Sequence, residues 1–180
     1  MKYTRTSVSA QSPVTVDDLR NQMRITSTYE DALHNGYASA VGLEIEDLCG
    51  LALLPQTIIA TSDPCPGTTI ELPVGPVADN TGMTVLALAE DGTTATVTAW
   101  WLEAGRYPVL HLTDTPAHRI RVTYPASLAS GPDALPYDLR HAIATQVCRM
   151  DVNRGDEDVK GPALSPQTAR VIARYRRPRI

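Results

Sequence analysis

The histidines and cysteines of this 180-residue chain could support catalytic or metal chemistry, because imidazoles and thiols act as bases, nucleophiles and metal ligands. The histidines show neither the i, i+4 pairing nor the H-x-E pattern that a catalytic metal favours; they are His34, His111, His118 and His141. The cysteines lie far apart without a C-x-x-C pair, at positions 49, 65 and 148. The sequence therefore predicts no catalytic residue, no metal site and no cofactor.

Two local features could still bind a ligand or a partner. The segment GDED at 155–158 clusters carboxylates but lacks the ligand spacing of a calcium loop, which favours a solvated loop. Trp100 and Trp101 are adjacent, and on a strand they would point to opposite faces. We expect one of them in the core. The other is either exposed as an interface anchor or covered by a neighbouring loop.

Positive charge is concentrated at the C-terminus. The whole chain has a formal charge of −4, and residues 170–180 contain five arginines and no carboxylate, so the rest of the chain carries −9. This end could be a solvated tail, an electrostatic handle for nucleic acid, or an arm that docks into another protein. Docking best explains the mixture of arginines with an aromatic, a proline and an apolar end, at Arg174, Tyr175, Arg176, Arg177, Pro178, Arg179 and Ile180.

Helical patterns occur in the first 50 residues and again after residue 135. Thr15 is the expected N-cap of a short helix over 16–24, and Ser27 with Glu30 forms a capping-box pattern for a helix over 28–49 that stops at Gly50. The long helix has a predicted apolar face of Leu33, Tyr37, Ala40, Val41, Glu44, Ile45 and Leu48. Its internal glycines, Gly36 and Gly42, could permit close packing.

Two more helices are predicted near the C-terminus. Pro136 fits the first turn of one, whose apolar stripe is Leu139, Ile143, Val147 and Met150. The other has Ser165 as its N-cap and Pro166 at its first position, and it ends near Arg174, before Pro178.

The intervening residues, 53–124, have the pattern of short strands rich in β-branched residues. Asp91 and Gly92 are expected to form a type I′ turn in a hairpin that ends with the tryptophan pair. These patterns predict an α+β fold: a small helical bundle with an inserted antiparallel β unit and an extended basic C-terminal arm. We expect one domain over 1–180, with helical parts 13–50 and 135–175, the β unit at 53–124 and the arm at 175–180.

No apolar run approaches the roughly 20 residues of a membrane helix, and the N-terminus is polar, so no membrane partner is expected.

Several phrases occur in a familiar order: VTVDDLRNQMRI, YEDALHNGYASAVGLEIEDLCG, LLPQTI, IELPVGPV, IRVTYPASL and LPYDLRHAIATQV. In this order and spacing they resemble the head-tail connector (adaptor) proteins of long-tailed bacteriophages and phage-derived gene transfer agents. The similarity extends over most of residues 13–150, with the least correspondence over about 79–112.

The resemblance implies a structural protein rather than an enzyme. Such adaptors form a ring, usually dodecameric, beneath the portal protein, and a stopper or tail-terminator protein attaches to that ring. Double-stranded DNA passes transiently through the channel. By position, residues 173–180 would be the portal-binding arm. The implied location is the bacterial cytoplasm during assembly and then the head-tail junction of the particle.

The acidic body suits a DNA channel, because a surface that bound phosphates tightly would retain the genome. Glu44, Glu46 and Asp47 are the candidate channel-facing residues, although an ordinary solvated face fits them equally. The alternative function is a small nucleic-acid-binding module that acts through the arginine-rich end.

Overall fold

The computed structural model describes residues 1–63, 67–116, 118–154 and 164–177. The chain has the predicted α+β class, and its residues form two compact units. The β unit comprises Met1–Ser9 and Gly50–Leu128, and the helical unit comprises Ala10–Cys49 and Ala129–Ile180. Within the described ranges, every helix is too short or too polar to span a lipid bilayer.

In the described part of the helical unit there are four α-helices, and α3 packs against the other three. Their bounds are α1 Val16–Met23, α2 Asp31–Cys49, α3 Tyr137–Val152 and α4 Pro166–Tyr175, and a 3₁₀ turn at Pro132–Ala134 precedes α3. The core of this unit contains fully buried side chains from each helix, including Leu19, Ile45, Leu139, Ile143 and Ile172.

The predicted caps of the helical unit are confirmed at three ends. The Thr15 hydroxyl accepts a hydrogen bond from the Asp18 N–H at 3.2 Å, and Gly50 follows α2 with a φ of 64°. Ser165 caps α4. The start of α2 was predicted three residues too early, because the Ser27 hydroxyl accepts from the Tyr29 N–H at 3.3 Å and holds a turn before the helix.

The buried face of α2 differs from the predicted one. The buried residues are His34, Ala38, Val41, Gly42, Ile45, Glu46 and Cys49, whereas Leu43 and Leu48 are exposed. Apolar residues occur on several sides of this helix, so periodicity alone did not fix its rotation. Contacts made by Gly42 and His34 identify the face that packs.

Gly42 packs directly against Pro13. A Cβ atom at Gly42 would lie 2.8 Å from the Pro13 Cγ, whereas one at Gly36 would meet nothing within 4 Å. We expect Gly42→Ala to lower the free energy of unfolding by about 1–3 kcal/mol, because overpacking outweighs the gain of about 1 kcal/mol in helix propensity. Gly36→Ala is the matched control and should stabilise the protein by about 0.5–1 kcal/mol. Urea unfolding of both variants tests this, and an equal gain in both would contradict it.

The described residues of the β unit form two antiparallel sheets. The strands are β1 Lys2–Thr6, β2 Gln56–Thr61, β3 Thr69–Glu71, β4 Thr84–Leu88, β5 Thr94–Thr96, β6 Trp100–Glu103, β7 Val109–Leu112 and β8 Arg119–Ala126. The five-stranded sheet has the order β1-β2-β8-β4-β5, and the three-stranded sheet has the order β3-β7-β6. The predicted alternation along β8 is confirmed: Ile120, Val122 and Tyr124 are buried, whereas the alternating positions are exposed at Arg119 and Arg121 and half-buried at Thr123.

Three details of the β unit differ from the sequence prediction. The residues of β1 were not predicted as a strand, yet they pair with β2 from Lys2 to Thr6. The second strand of the predicted hairpin, from Thr93 to the tryptophan pair, is divided between two sheets as β5 and β6. The predicted type I′ turn is wrong. Such a turn needs a positive φ at both Asp91 and Gly92, and of these two residues only Gly92 has one, at 86°. The Gly92 N–H donates to the Ala89 carbonyl, which indicates a type I turn followed by a glycine bulge.

Candidate interaction surfaces

The end of α4 is fixed to α3 through one carboxylate. Arg174 Nη2 donates to Asp138 Oδ2 at 2.8 Å, and the Tyr175 hydroxyl lies 3.0 and 3.1 Å from the two Asp138 oxygens. Arg174 and Tyr175 were predicted as part of an extended arm, but the structure places both in the last turn of a helix. The helical part therefore extends through Tyr175.

Beyond α4 the structure describes two further residues. Arg176 is exposed and its N–H caps the helix on the Ile172 carbonyl at 3.0 Å, and Arg177 is half-buried. Pro178, Arg179 and Ile180 lie outside the described residues. The segment that can reach a partner without unwinding α4 therefore starts after Tyr175.

A buried polar network fixes the other end of α4. Thr168 is fully buried, and its Oγ1 donates to the Ala142 carbonyl of α3 at 3.1 Å. The Ser165 N–H donates to Gln146 Oε1 at 2.8 Å, and the Ser165 hydroxyl donates to Thr168 Oγ1 at 2.8 Å. Both ends of α4 are thus hydrogen-bonded to α3.

The three predicted channel-facing carboxylates have different surroundings. Asp47 is exposed and Glu44 is half-buried, but Glu46 is only 5% exposed. Glu46 lies on the packed face of α2, so it cannot present negative charge to a channel in this conformation. We correct the set accordingly to Glu44 and Asp47.

A charged cluster joins the start of α2 to the end of α3. His34 is 1% exposed and its Nε2 lies 3.3 Å from Asp151 Oδ1. Arg154 Nη1 donates to Glu30 Oε1 at 2.7 Å, and this hydrogen bond raises the pKa of Arg154. The ligand atoms of Glu30, His34 and Asp151 lie within 4.8 Å of one another, as a metal would require.

Arg154 already supplies the positive charge that a metal would bring to this cluster, because it binds Glu30 and lies 4.0 Å from Asp151. The arrangement fits an ion-pair link between two helices better than an open metal site. The cluster was not predicted from the sequence, because the spacing pattern considered there pairs two histidines at i, i+4. Here a carboxylate, Glu30, is paired with His34, and Asp151 joins them only in the folded chain.

Other shifted groups have local structural causes. The Asp31 carboxylate accepts a hydrogen bond from Arg20 and raises the pKa of that guanidinium. The Thr81 backbone N–H donates to Asp79, and the Thr93 hydroxyl and N–H donate to Asp91; these bonds lower the pKa of each aspartate. Both aspartates thereby stabilise turns.

The tryptophan pair is divided as predicted between the core and the surface. Trp100 packs against the core of the β unit, and its Nε1 donates to the Val97 carbonyl at 3.0 Å. Trp101 is 57% exposed and stacks on His111, with ring centroids 3.8 Å apart. His111 Nε2 lies 3.4 Å from Glu103 Oε2. An exposed aromatic beside a carboxylate is suited to contact with another protein.

No protein-family model and no curated protein sequence matches the chain. Solved structures do match it over its whole length. A chain in the neck of an empty GTA particle, computed with C6 symmetry, aligns with a TM-score of 0.81 at 22% identity, covering 100% of this chain and 97% of that one. A chain in the virion of a native gene transfer agent particle aligns with a TM-score of 0.80, at the same identity and coverage.

A third match, with a TM-score of 0.77 at 23% identity, comes from the neck of a native GTA particle computed with C12 symmetry, and the coverage is again 100% and 97%. The chain shares the fold of these gene transfer agent chains. The resemblance predicted from the sequence is confirmed at the level of the fold. Because the alignment spans the whole chain, it includes residues 79–112, where the sequence correspondence was least.

Proposed function

We propose that this protein is a structural neck adaptor of a phage-like particle, and not an enzyme. In this role it forms a ring beneath a portal protein, carries a stopper or tail-terminator protein, and surrounds the path of exiting double-stranded DNA. The main support is the fold match over the full chain to chains of gene transfer agent particles, two of them from necks computed with C6 and C12 symmetry.

The charge distribution supports the same role. Residues 1–169 carry a formal net charge of −9, which disfavours tight binding to phosphates. The protein would therefore retain passing DNA only weakly. Glu44 and Asp47 are the proposed channel-facing residues. The basic C-terminus is then the proposed site of attachment to the portal protein. Many copies on one ring would together bind stably even if each copy binds with modest affinity.

The proposed docking arm consists of Arg176, Arg177, Pro178, Arg179 and Ile180. Arginine guanidinium groups bind carboxylates in a bidentate manner, and the apolar terminal residue fills a hydrophobic niche. Arg174 and Tyr175 have a supporting role, because their contacts with Asp138 set the direction in which the arm leaves α4.

Co-sedimentation with portal rings from the same gene neighbourhood tests this function. We expect the full-length protein to travel with the portal and a chain truncated after Tyr175 to remain in the supernatant. This truncation keeps both contacts with Asp138 and removes the hydrogen bond from the Arg176 N–H to the Ile172 carbonyl, so we expect the unfolding midpoint to fall less than in the chain truncated after Ile172. A chain truncated after Ile172, which lacks the last turn of α4, serves as the comparison.

Each outcome has a separate meaning. Equal sedimentation of the full-length and truncated chains would refute the docking arm but not the adaptor role. Absence of both from the portal fraction would refute the adaptor. Salt-sensitive binding to duplex DNA that disappears with the arm would then favour the nucleic-acid-binding alternative.

A further inference from the structure

The two sheets of the β unit bury their inner faces in one shared core. This core includes Ile58 and Val122 from the five-stranded sheet and Ile70, Leu110 and Leu112 from the three-stranded sheet. Two sheets that pack face to face over one core direct their outer faces away from each other. The β unit therefore has two opposed outward surfaces.

The outward strand positions of the five-stranded sheet carry three cations and no carboxylate, and Glu90, in the turn after β4, lines the same cavity as Arg119 and Arg121. Cross-strand register places Lys2 beside Thr61, and Arg121 between Thr61 and Leu86. Arg119 lies opposite Leu88 on the same face, and all three cations are exposed. The remaining outward strand positions are threonines and apolar residues, so the strands contribute no carboxylate to this surface; they are Thr4, Thr6, Thr57, Ile59, Thr61, Thr84, Leu86, Leu88, Thr94, Thr96, Thr123 and Pro125. We call it the basic face.

The outward surface of the three-stranded sheet is acidic and aromatic. One cross-strand row is Glu71, Val109 and Glu103, and the next is Thr69, His111 and Trp101. Its strand positions contain two carboxylates and no lysine or arginine. We call these six residues the acidic face.

We propose that the acidic face of one copy packs against the basic face of the next copy. A contact between two different surfaces of the same chain is heterologous, and such a contact repeated around an axis forms a ring when its rotation divides a full turn, as in the proposed function. Arginine pairs with carboxylates and stacks on aromatic rings, and the acidic face offers both in Glu103 and the exposed ring of Trp101. This inference rests on the proposed ring and assigns its subunit contact.

Opposed charges on opposed faces explain why the contact joins different faces. A basic face meeting another basic face, or an acidic face meeting another acidic face, would place like charges together and lose several kcal/mol. The pairing is therefore directional, which a closed ring requires.

Charge reversal of each face gives a direct test, with sedimentation velocity of the full chain in low salt as the measurement. The variant Arg119→Glu/Arg121→Glu has two acidic faces, and the variant Glu71→Arg/Glu103→Arg has two basic ones. We expect wild type to self-associate with rising concentration and each variant alone to associate at least about tenfold more weakly. An equimolar mixture should recover association, because the two variants can alternate around an even-numbered ring.

Asp114→Arg is the control, since this exposed residue lies between β7 and β8, outside both faces, and its reversal changes the charge by the same amount per site. Circular dichroism of each variant checks that it is folded. Two results would overturn the subunit contact and leave the ring intact. In the first, both variants associate as strongly as wild type; in the second, both associate weakly and their mixture does not recover association. A wild-type chain that stays monomeric alone and on portal rings would overturn the ring as well. Loss of duplex DNA binding without loss of self-association in the Arg119→Glu/Arg121→Glu variant would instead assign the basic face to phosphate contact, against the proposal.

Discussion

Tyr124→Phe should lower the free energy of unfolding by about 2–4 kcal/mol, although it removes a single oxygen. Tyr124 is fully buried, and its hydroxyl donates to the Val74 carbonyl at 3.1 Å and accepts from the Val74 N–H at 3.3 Å. Removal of the hydroxyl takes a partner from both polar groups of a buried backbone position, and each such loss costs about 1–3 kcal/mol.

Urea unfolding measures this effect, and Tyr29→Phe is the matched control. Tyr29 is 92% exposed, so loss of its hydroxyl should change the free energy of unfolding by less than about 0.5 kcal/mol. If Tyr124→Phe were as mild as Tyr29→Phe, the segment around Val74 would not depend on this hydroxyl. An unchanged m-value would show that both variants unfold from equally compact states.

The second large effect that we expect is a fall in the free energy of unfolding when the buried hydrogen bonds at the start of α4 are removed. Gln146→Leu takes the acceptor from the buried Ser165 N–H, and Thr168→Val removes the hydroxyl that donates to the Ala142 carbonyl. Each change should cost about 1–3 kcal/mol. The two should not be additive, because Ser165 and Thr168 share a hydrogen bond.

Hydrogen exchange separates a local effect from a global one. We expect amides of α4 to lose protection in Gln146→Leu and Thr168→Val before those of α1 and α2 do. Thr168→Ser is the control, since it keeps the hydroxyl and should keep most of the protection. Portal binding should weaken together with the protection of α4, because the proposed arm leaves from this helix. Full protection of α4 in both variants would show that the network does not hold it.

The sequence predicts the local structure of this chain better than the contacts between its elements. Caps at Thr15, Ser165 and Gly50 depend on neighbours within a few residues, and all three are present. The packed face of α2 includes Gly42, which lies against Pro13, and periodicity predicted only part of this face, with Val41 and Ile45 right and Ala40 and Leu48 wrong. The hairpin at Gly92 was predicted, but its turn type depends on the φ of Asp91, which the Asp-Gly pair alone does not determine.

The candidate surfaces show the same limit. Strand alternation predicted that the two tryptophans lie on opposite faces, but it left open whether the outer one is exposed, and the stacking of Trp101 on His111 depends on the pairing of β6 with β7. The arm was predicted from composition, which does not show that Arg174 and Tyr175 contact Asp138 on another helix. The basic and acidic faces could not be predicted from the sequence, because the cross-strand register determines on which side of its sheet each charged residue lies.

The attachment of α4 to α3 at both of its ends has an evolutionary consequence. The helix is held by Ser165 and Thr168 at one end and by Asp138 at the other, and beyond Tyr175 the Arg176 N–H adds a backbone hydrogen bond to the Ile172 carbonyl. Because these contacts use the backbone of Arg176 and not its side chain, point mutations at this position can change the side chain and leave them in place. Under the proposed function, such changes would let one folded body acquire contacts with a different portal protein.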